Sequence, residues 1–308
     1  MSTSNAAPIL PSPEAQIPGV YHRRIGDMVV SAISDGYLDG TLDFLINVDR
    51  SEAERLLDDG FRPLPGRRTS VNTFMVRAPG KPAVVIDAGF GDYFADTAGQ
   101  QQKNLAAAGI DSKDIGAVLL THMHPDHAGG LLDPKTKELL FPNAELVVHE
   151  KELAHWMDDE ALAKIAGNPM HERFFSCARD QVRPYLDQTR TFKEGEVAPG
   201  IHAIDCPGHT PGHSSFLITS SNESLLIWGD TVHVPEVQVA LPETGVTYDI
   251  DPAGATETRR RIFDMAASER LLVAGLHLHF PAFSWLKRQG TGYALVPEAW
   301  DQAFKPAG

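Results

Sequence analysis

The sequence predicts an α+β sandwich in which two mixed β-sheets pack face to face with helices outside. Three observations predict it. Short apolar, β-branched runs come in pairs joined by turn residues. Helix-like segments fall between groups of such runs rather than after each one. No Pro/Gly/Ser-rich linker divides the middle of the 308 residues. Apolar residues make up 42% of the chain and charged residues 22%, enough to fill a large core.

In order along the chain, residues 1–18 are rich in Pro, Ser and Ala without periodicity and read as a mobile arm, leaving 19–308 as a single domain. The run 29–33 (VVSAI) is the first strand. Residues 51–60 read as a short helix, with Ser51 as its cap, Glu54 three positions on and Gly60 as its stop. Strands at 71–77 and 83–86 flank the turn residues Pro79-Gly80, and the second ends in Asp87-Ala88-Gly89. A helix ends over 104–109, a strand follows at 115–120, another at 145–149, and a helix over about 150–158. Further on, a strand at 201–205 leads into Pro207-Gly208-His209. Residues 215–219 and 224–228 form a hairpin through Ser221-Asn222. A helix over 252–267 presents an Arg-rich exposed face, a strand over 270–274 ends near His277, and 293–296 adds an edge strand. No repeat of short fixed period occurs.

Charge and cysteine content exclude several function classes. A net charge of −14 opposes nucleic-acid binding, which needs Lys and Arg to neutralise phosphates. Two cysteines, Cys177 and Cys206, rule out a disulfide framework and a thiolate metal site; Cys206, after an apolar run, reads as a small buried hydrophobe. No apolar run is long enough to cross a bilayer, so no membrane role is expected. The opening Met1-Ser2-Thr3-Ser4-Asn5 has neither a basic nor an apolar leader region. A cytoplasmic chain is expected, although an exported precursor stripped of its leader would read the same.

The chemistry concentrates in His122-Met123-His124-Pro125-Asp126-His127. An extended chain alternates its side chains, so His122 and His124 face one way. Pro125 favours an extended His124 and suits the first turn of a helix or loop. Asp126 and His127 open that turn, and Ala128-Gly129-Gly130 let the backbone pack close. His209, Asp230 and His277 also lie at or just past strand ends, where loops gather to build sites. So many ligand-type residues exceed the needs of one tetrahedral ion, and two ions are implied. Imidazole and carboxylate donors without thiolate suit Zn²⁺, with Mn²⁺, Fe or Co²⁺ as alternatives. Two divalent ions bring more positive charge than two aspartates and a bridging hydroxide cancel. Water held between them is therefore acidified toward neutral pH and can attack a carbon or phosphorus centre.

This segment resembles the His-x-His-x-Asp-His signature of the metallo-β-lactamase superfamily. Residues 207–213 (PGHTPGH) resemble its second ligand loop, and Gly229-Asp230 after Leu225-Leu226-Ile227-Trp228 resembles its bridging aspartate. The resemblance implies one ion on His122, His124 and His209, another on Asp126, His127 and His277, and Asp230 between them. Asp126 and Asp230 would share the catalytic work with the bridging hydroxide. His277 is preferred to His279 because it lies nearer the end of its strand. Asp87 and His213 would support the ligands from behind, and His233 is a candidate proton donor outside the ligand set.

Within the superfamily the chain is most similar to the methyl parathion hydrolase and quorum-quenching lactonase-like group. The likeness lies at 121–131, 229–238 and 277–297, the last with Phe280-Pro281 and Gly292-Tyr293. It implies a small-molecule substrate, either an organophosphate, an aryl ester or an N-acyl homoserine lactone, lined by Phe94, Trp156 and Phe175, and a homodimer. A di-iron oxidoreductase of the same fold usually carries a flavin domain for which this length has no room. A non-catalytic binding protein is disfavoured by the intact ligand set.

Overall fold

In the computed structural model, which describes residues 16–91 and 95–301, the chain forms two seven-stranded sheets and a small two-stranded pair. The strands are β1 (Val20–Ile25), β2 (Met28–Gly40), β3 (Leu45–Ile46), β4 (Arg67–Arg77), β5 (Ala83–Ile86), β6 (Ile115–Leu119), β7 (Glu145–His149) and β8 (Thr189–Phe192). They continue with β9 (Gly195–Ala198), β10 (Ile201–Asp205), β11 (Ser214–Ser220), β12 (Glu223–Ile227), β13 (Gly245–Val246), β14 (Leu272–Ala274), β15 (Phe283–Gln289) and β16 (Gly292–Pro297). The first sheet is ordered β1-β2-β4-β5-β6-β7-β8 and the second β16-β15-β14-β12-β11-β10-β9, while β3 pairs with β13. Each large sheet is therefore built from one half of the chain. Both are mixed: β5 through β8 run parallel, as do β12 and β14, and the other neighbours are antiparallel. This is the sandwich the sequence predicts.

The period-two geometry of a strand explains how the first sheet buries both faces. Phe74, Val76, Val84, Ile86, Leu119 and Val147 point into the core shared with the second sheet. Their neighbours Met75, Val85, Val118, Leu120, Leu146 and Val148 point the other way, under the helices Gln101–Ala107, Glu150–Met157 and Pro169–Val182. Each such fully buried side chain contributes about 1.5–3 kcal/mol. On the second sheet the helix Pro252–Ser268 contributes Ile262, Phe263 and Ala266 to the core.

Several local expectations are corrected. The helix Arg50–Asp59 starts from Asp49, and no side chain caps it, so Ser51 is not its cap; Gly60 does end it. The strand expected at 29–33 runs on through Gly40, because Ser34-Asp35-Gly36 is a bulge rather than a turn. Gly36 takes a φ of +123° there, and Asp35 turns inward to accept the backbone N–H groups of Phe90, Gln101 and Gly99 at 2.8, 2.8 and 3.1 Å. The Arg face of 252–267 is only partly exposed. Arg259 is buried, donating to the Thr231 carbonyl at 2.7 Å and the Pro242 carbonyl at 3.0 Å. It thereby anchors the loop that carries Asp230. Both cysteines are free and buried, Cys206 beside Ser215 Oγ at 3.2 Å.

Candidate metal centre

The ligand-type residues come from loops at the ends of strands in both sheets. After β6 the chain bends at Thr121, His124 has extended φ and ψ, and Pro125 starts a single helical turn, Pro125–Ala128. The His122 and His124 ring centres lie 4.6 Å apart, and the turn brings the His127 ring to 3.9 Å from His122. From the second half come His209 after β10, Asp230 after β12 and His277 after β14.

Two groups result. Ligand atoms of His122, His124 and His209 lie within 4.8 Å of one another, as do those of Asp126, His127, Asp230 and His277. Asp230 stands between the groups. Its Oδ1 lies 3.2 Å from His127 Nε2, and its Oδ2 lies 3.2 Å from His277 Nε2, 3.5 Å from His209 Nε2 and 3.7 Å from His122 Nε2. Burial raises the Asp230 pKa, but the imidazoles of His127, His277, His233 and His122 outweigh it and hold the carboxyl well below its ordinary range. Burial and the neighbouring His127 keep His122 well below the usual histidine value, and so neutral, the form that binds a cation.

Three of the imidazoles are held from behind, which fixes the tautomer and aims the other nitrogen inward. Asp87 Oδ2 lies 2.8 Å from His127 Nδ1 and also accepts from Thr121 Oγ1, while its Oδ1 accepts from Thr121 N. The Asp87 backbone has φ of +62°, a conformation that a short polar side chain tolerates. Asp249 Oδ1 lies 2.7 Å from His209 Nδ1, and the Ser70 carbonyl lies 2.9 Å from His277 Nδ1. His213 works on Asp230 instead: its Nε2 accepts the Asp230 backbone N–H at 2.9 Å, so its Nδ1 carries the proton toward the Cys206 carbonyl. A side chain at Gly229 would bring its Cβ to 2.4 Å from that Nε2, so this close approach needs glycine.

Glu152 joins the two ligand loops. Its carboxylate accepts from Met123 N at 2.9 Å and Gly212 N at 3.0 Å, from Thr210 Oγ1 at 2.6 Å and from Trp156 Nε1 at 2.5 Å. One buried side chain thus braces the backbone between His122 and His124 and the loop that follows His209.

The donor set fits metal ions. His127 Nε2 and Asp230 Oδ1 are buried and 3.2 Å apart, but neither makes a hydrogen bond, and His127 Nε2 also lies 3.6 Å from Asp126 Oδ1. Buried polar atoms are rarely left so, and a cation between them would satisfy both. His122 Nε2 and His209 Nε2 face each other at 3.2 Å, a second place where two lone pairs converge. His233 joins this set more closely than the sequence reading has it. Its Nε2 lies 3.0 Å from Asp230 Oδ2, both its nitrogens lack hydrogen bonds, and it forms a third group with His209 and Asp230. His279 points away and lies 2.8 Å from Glu236.

Residues 66–277 match the family model of the metallo-β-lactamase superfamily. The chain belongs to that superfamily. A crystal structure of hydrolase AbOPH in the beta lactamase superfamily aligns with a TM-score of 0.88 and 31% identity over 94% of this chain and 100% of that one. AidC, a dizinc quorum-quenching lactonase, shares the fold with a TM-score of 0.85 and 24% identity over 92% of this chain and 99% of its own. N-acyl homoserine lactonase AiiA of Bacillus thuringiensis subsp. kurstaki is 25% identical over 171 residues, 55% of this chain. That match spans 58% of the relative's length.

Around the metallo-β-lactamase centre, the aromatic expectations need correction. Phe94 lies outside the described residues. Trp156 and Phe175 are both 2% exposed and belong to the core under the first sheet, so they offer no surface to a cleft. Trp156 backs His124, with ring centres 5.4 Å apart, and Phe175 packs behind Trp156 at 4.6 Å. The rings that meet the histidines are Phe174, 4.8 Å from His124, and Tyr248, 5.3 Å from His233 and 6.0 Å from His209. Along with Tyr248, the sequence reading misses Glu152, Asp249 and Ser70. Asp249 sits in a stretch with no motif, and Ser70 acts through its carbonyl, which every residue has.

Proposed function

We propose that this chain is a dinuclear metal-dependent hydrolase of lactones and esters of apolar acids. The observation that carries the reading is the position of Asp230, one carboxylate between two groups of inward-facing imidazoles. His122, His124 and His209 would hold one ion, Asp126, His127 and His277 the other, and Asp230 both. Divalent ions bound there supply Lewis acidity toward a substrate oxygen and acidify water. Asp87, Asp249 and the Ser70 carbonyl keep His127, His209 and His277 presenting one nitrogen each to the centre. Thiolate-free N and O donors favour Zn²⁺. The lactone reading is supported by the likeness to the N-acyl homoserine lactonase. The rings of Phe174 and Tyr248 beside the histidines suit an apolar acyl or aryl group.

The test is metal analysis and turnover on one preparation. Purified protein should hold about two ions per chain. It should hydrolyse acyl-homoserine lactones or aryl esters and lose that activity to a chelator. A dialkyl aryl phosphotriester in the same panel decides whether phosphorus centres are also accepted. Fully metal-loaded protein that turns over none of these substrates, or is fully active with one ion, overturns the reading.

A further inference from the structure

A basic cleft of about 460 Å³ adjoins the candidate centre, lined among others by Arg62, Arg67, Arg68, Ser70, His279 and Asp39. It borders the metal site through Ser70, a lining residue whose carbonyl receives His277 Nδ1. Most of its charges are already matched. Arg68 lies 2.8 Å from Asp39, and Arg62 and His279 both pair with Glu236. Among the described residues Arg67 makes no ion pair, although the charges of Asp126 and Asp39 lie near enough to act on it. Among the described residues its guanidinium bonds the Thr69 hydroxyl and rests on the Phe44 ring, 4.2 Å from the centroid, while its Nε is buried without a hydrogen bond.

Arg67 is also tied to the centre through aromatic rings. Phe44 stacks on Tyr248 at 5.6 Å, and Tyr248 reaches His233, His209 and, at 6.4 Å, His124. Arg67 begins β4 three residues before Ser70, which places it about 10 Å along the strand from the carbonyl that holds His277. A partly desolvated guanidinium that makes no ion pair is costly to keep without an anion, and a carboxylate is an anion it pairs with strongly.

We propose that this cleft is a substrate subsite in which Arg67 binds a carboxylate at the far end of an otherwise apolar ester or lactone. The apolar part lies along Phe44 and Tyr248, and the scissile bond reaches the histidines. This rests on the hydrolase reading for its reaction, but the binding stands apart from it. The chain carries a net charge of −14, so an acidic substrate gains from a local cation.

The experiment compares p-nitrophenyl hexanoate with the p-nitrophenyl monoester of adipic acid on metal-loaded protein. It also compares calorimetric binding of the uncleaved hexananilide and adipic acid monoanilide. The acid ester should be favoured in kcat/KM by roughly tenfold or more, the size of one charge-assisted pair, with the difference in KM. Arg67→Gln should erase the preference in both turnover and binding, and Arg67→Lys should keep part of it. No preference in the unaltered protein overturns the subsite. A preference that survives Arg67→Gln does so too, since the metal ions or another group then take the carboxylate. If neither ester is hydrolysed, the hydrolase reading fails, and the anilide comparison still decides Arg67.

Discussion

Asp230 has two oxygens and five imidazoles around it, and its backbone is held by His213 on one side and the Arg259-anchored loop on the other. Asn at this position keeps the shape but removes the charge that two cations would share. Asp230→Asn should therefore weaken at least one ion by tenfold or more and leave preparations short of two ions per chain. His233→Ala should retain both ions, because His209 and Asp230 each already belong to another group and the His233 ring lies stacked on His277 at 5.3 Å. Metal content of the two variants, measured side by side after gel filtration, settles the point. Loss of an ion from His233→Ala would move this histidine into the ligand set. Most of the ligand-type side chains that cluster here were legible in the sequence, because such residues are of few types and crowd into 122–127. Their supports were less so. Asp87 follows a strand and stands out, whereas Asp249 lies 40 residues from the His209 it orients and carries no local mark.

At the level of elements, the helix Glu150–Met157 does more than cover the first sheet. Through Glu152 it receives a backbone N–H from each ligand loop, plus a hydroxyl and an indole. In Glu152→Gln an amide NH₂ must face donors, so at least one buried donor is left unpaired. The expected cost is about 1–3 kcal/mol of stability, with metal affinity down roughly 10- to 100-fold, as for other groups that orient ligands. Thermal melting of the apo protein and a competitive zinc titration separate the two effects. Unchanged zinc affinity in a protein that melts lower would make Glu152 a packing residue only. Strands buried on both faces, such as β6 and β7, were legible as continuous apolar runs. The bulged end of β2 and the edge strands β1, β8 and β9 were not. Ser34-Asp35-Gly36 has turn composition, and the edge segments have burial patterns too mixed to show a period. The helix Pro169–Val182 has its signals in place, Asn168 capping His171 N at 3.3 Å and Pro169 in the first turn, yet its polar outer face dilutes the pattern.

Across the whole molecule, the sandwich form was legible from hairpin spacing, but the assignment of one half of the chain to each sheet was not, because pairing partners such as β12 and β14 are distant in sequence. That assignment has a consequence for how the molecule is held closed. His122, His124, Asp126 and His127 belong to the half that ends with β8, and His209, Asp230 and His277 to the half that begins with β9. Only Lys193 and Glu194 lie between those strands. A polypeptide supplied as two pieces, cut at that junction, should reassemble through the shared core, and zinc should tighten the association by at least tenfold, since neither piece owns a complete ligand group around both ions. Mixing the pieces with and without a chelator, and following association by fluorescence anisotropy, reads this directly. Equal association in both conditions would mean that the core alone joins the halves, and that the ions are passengers in the seam rather than its clasp.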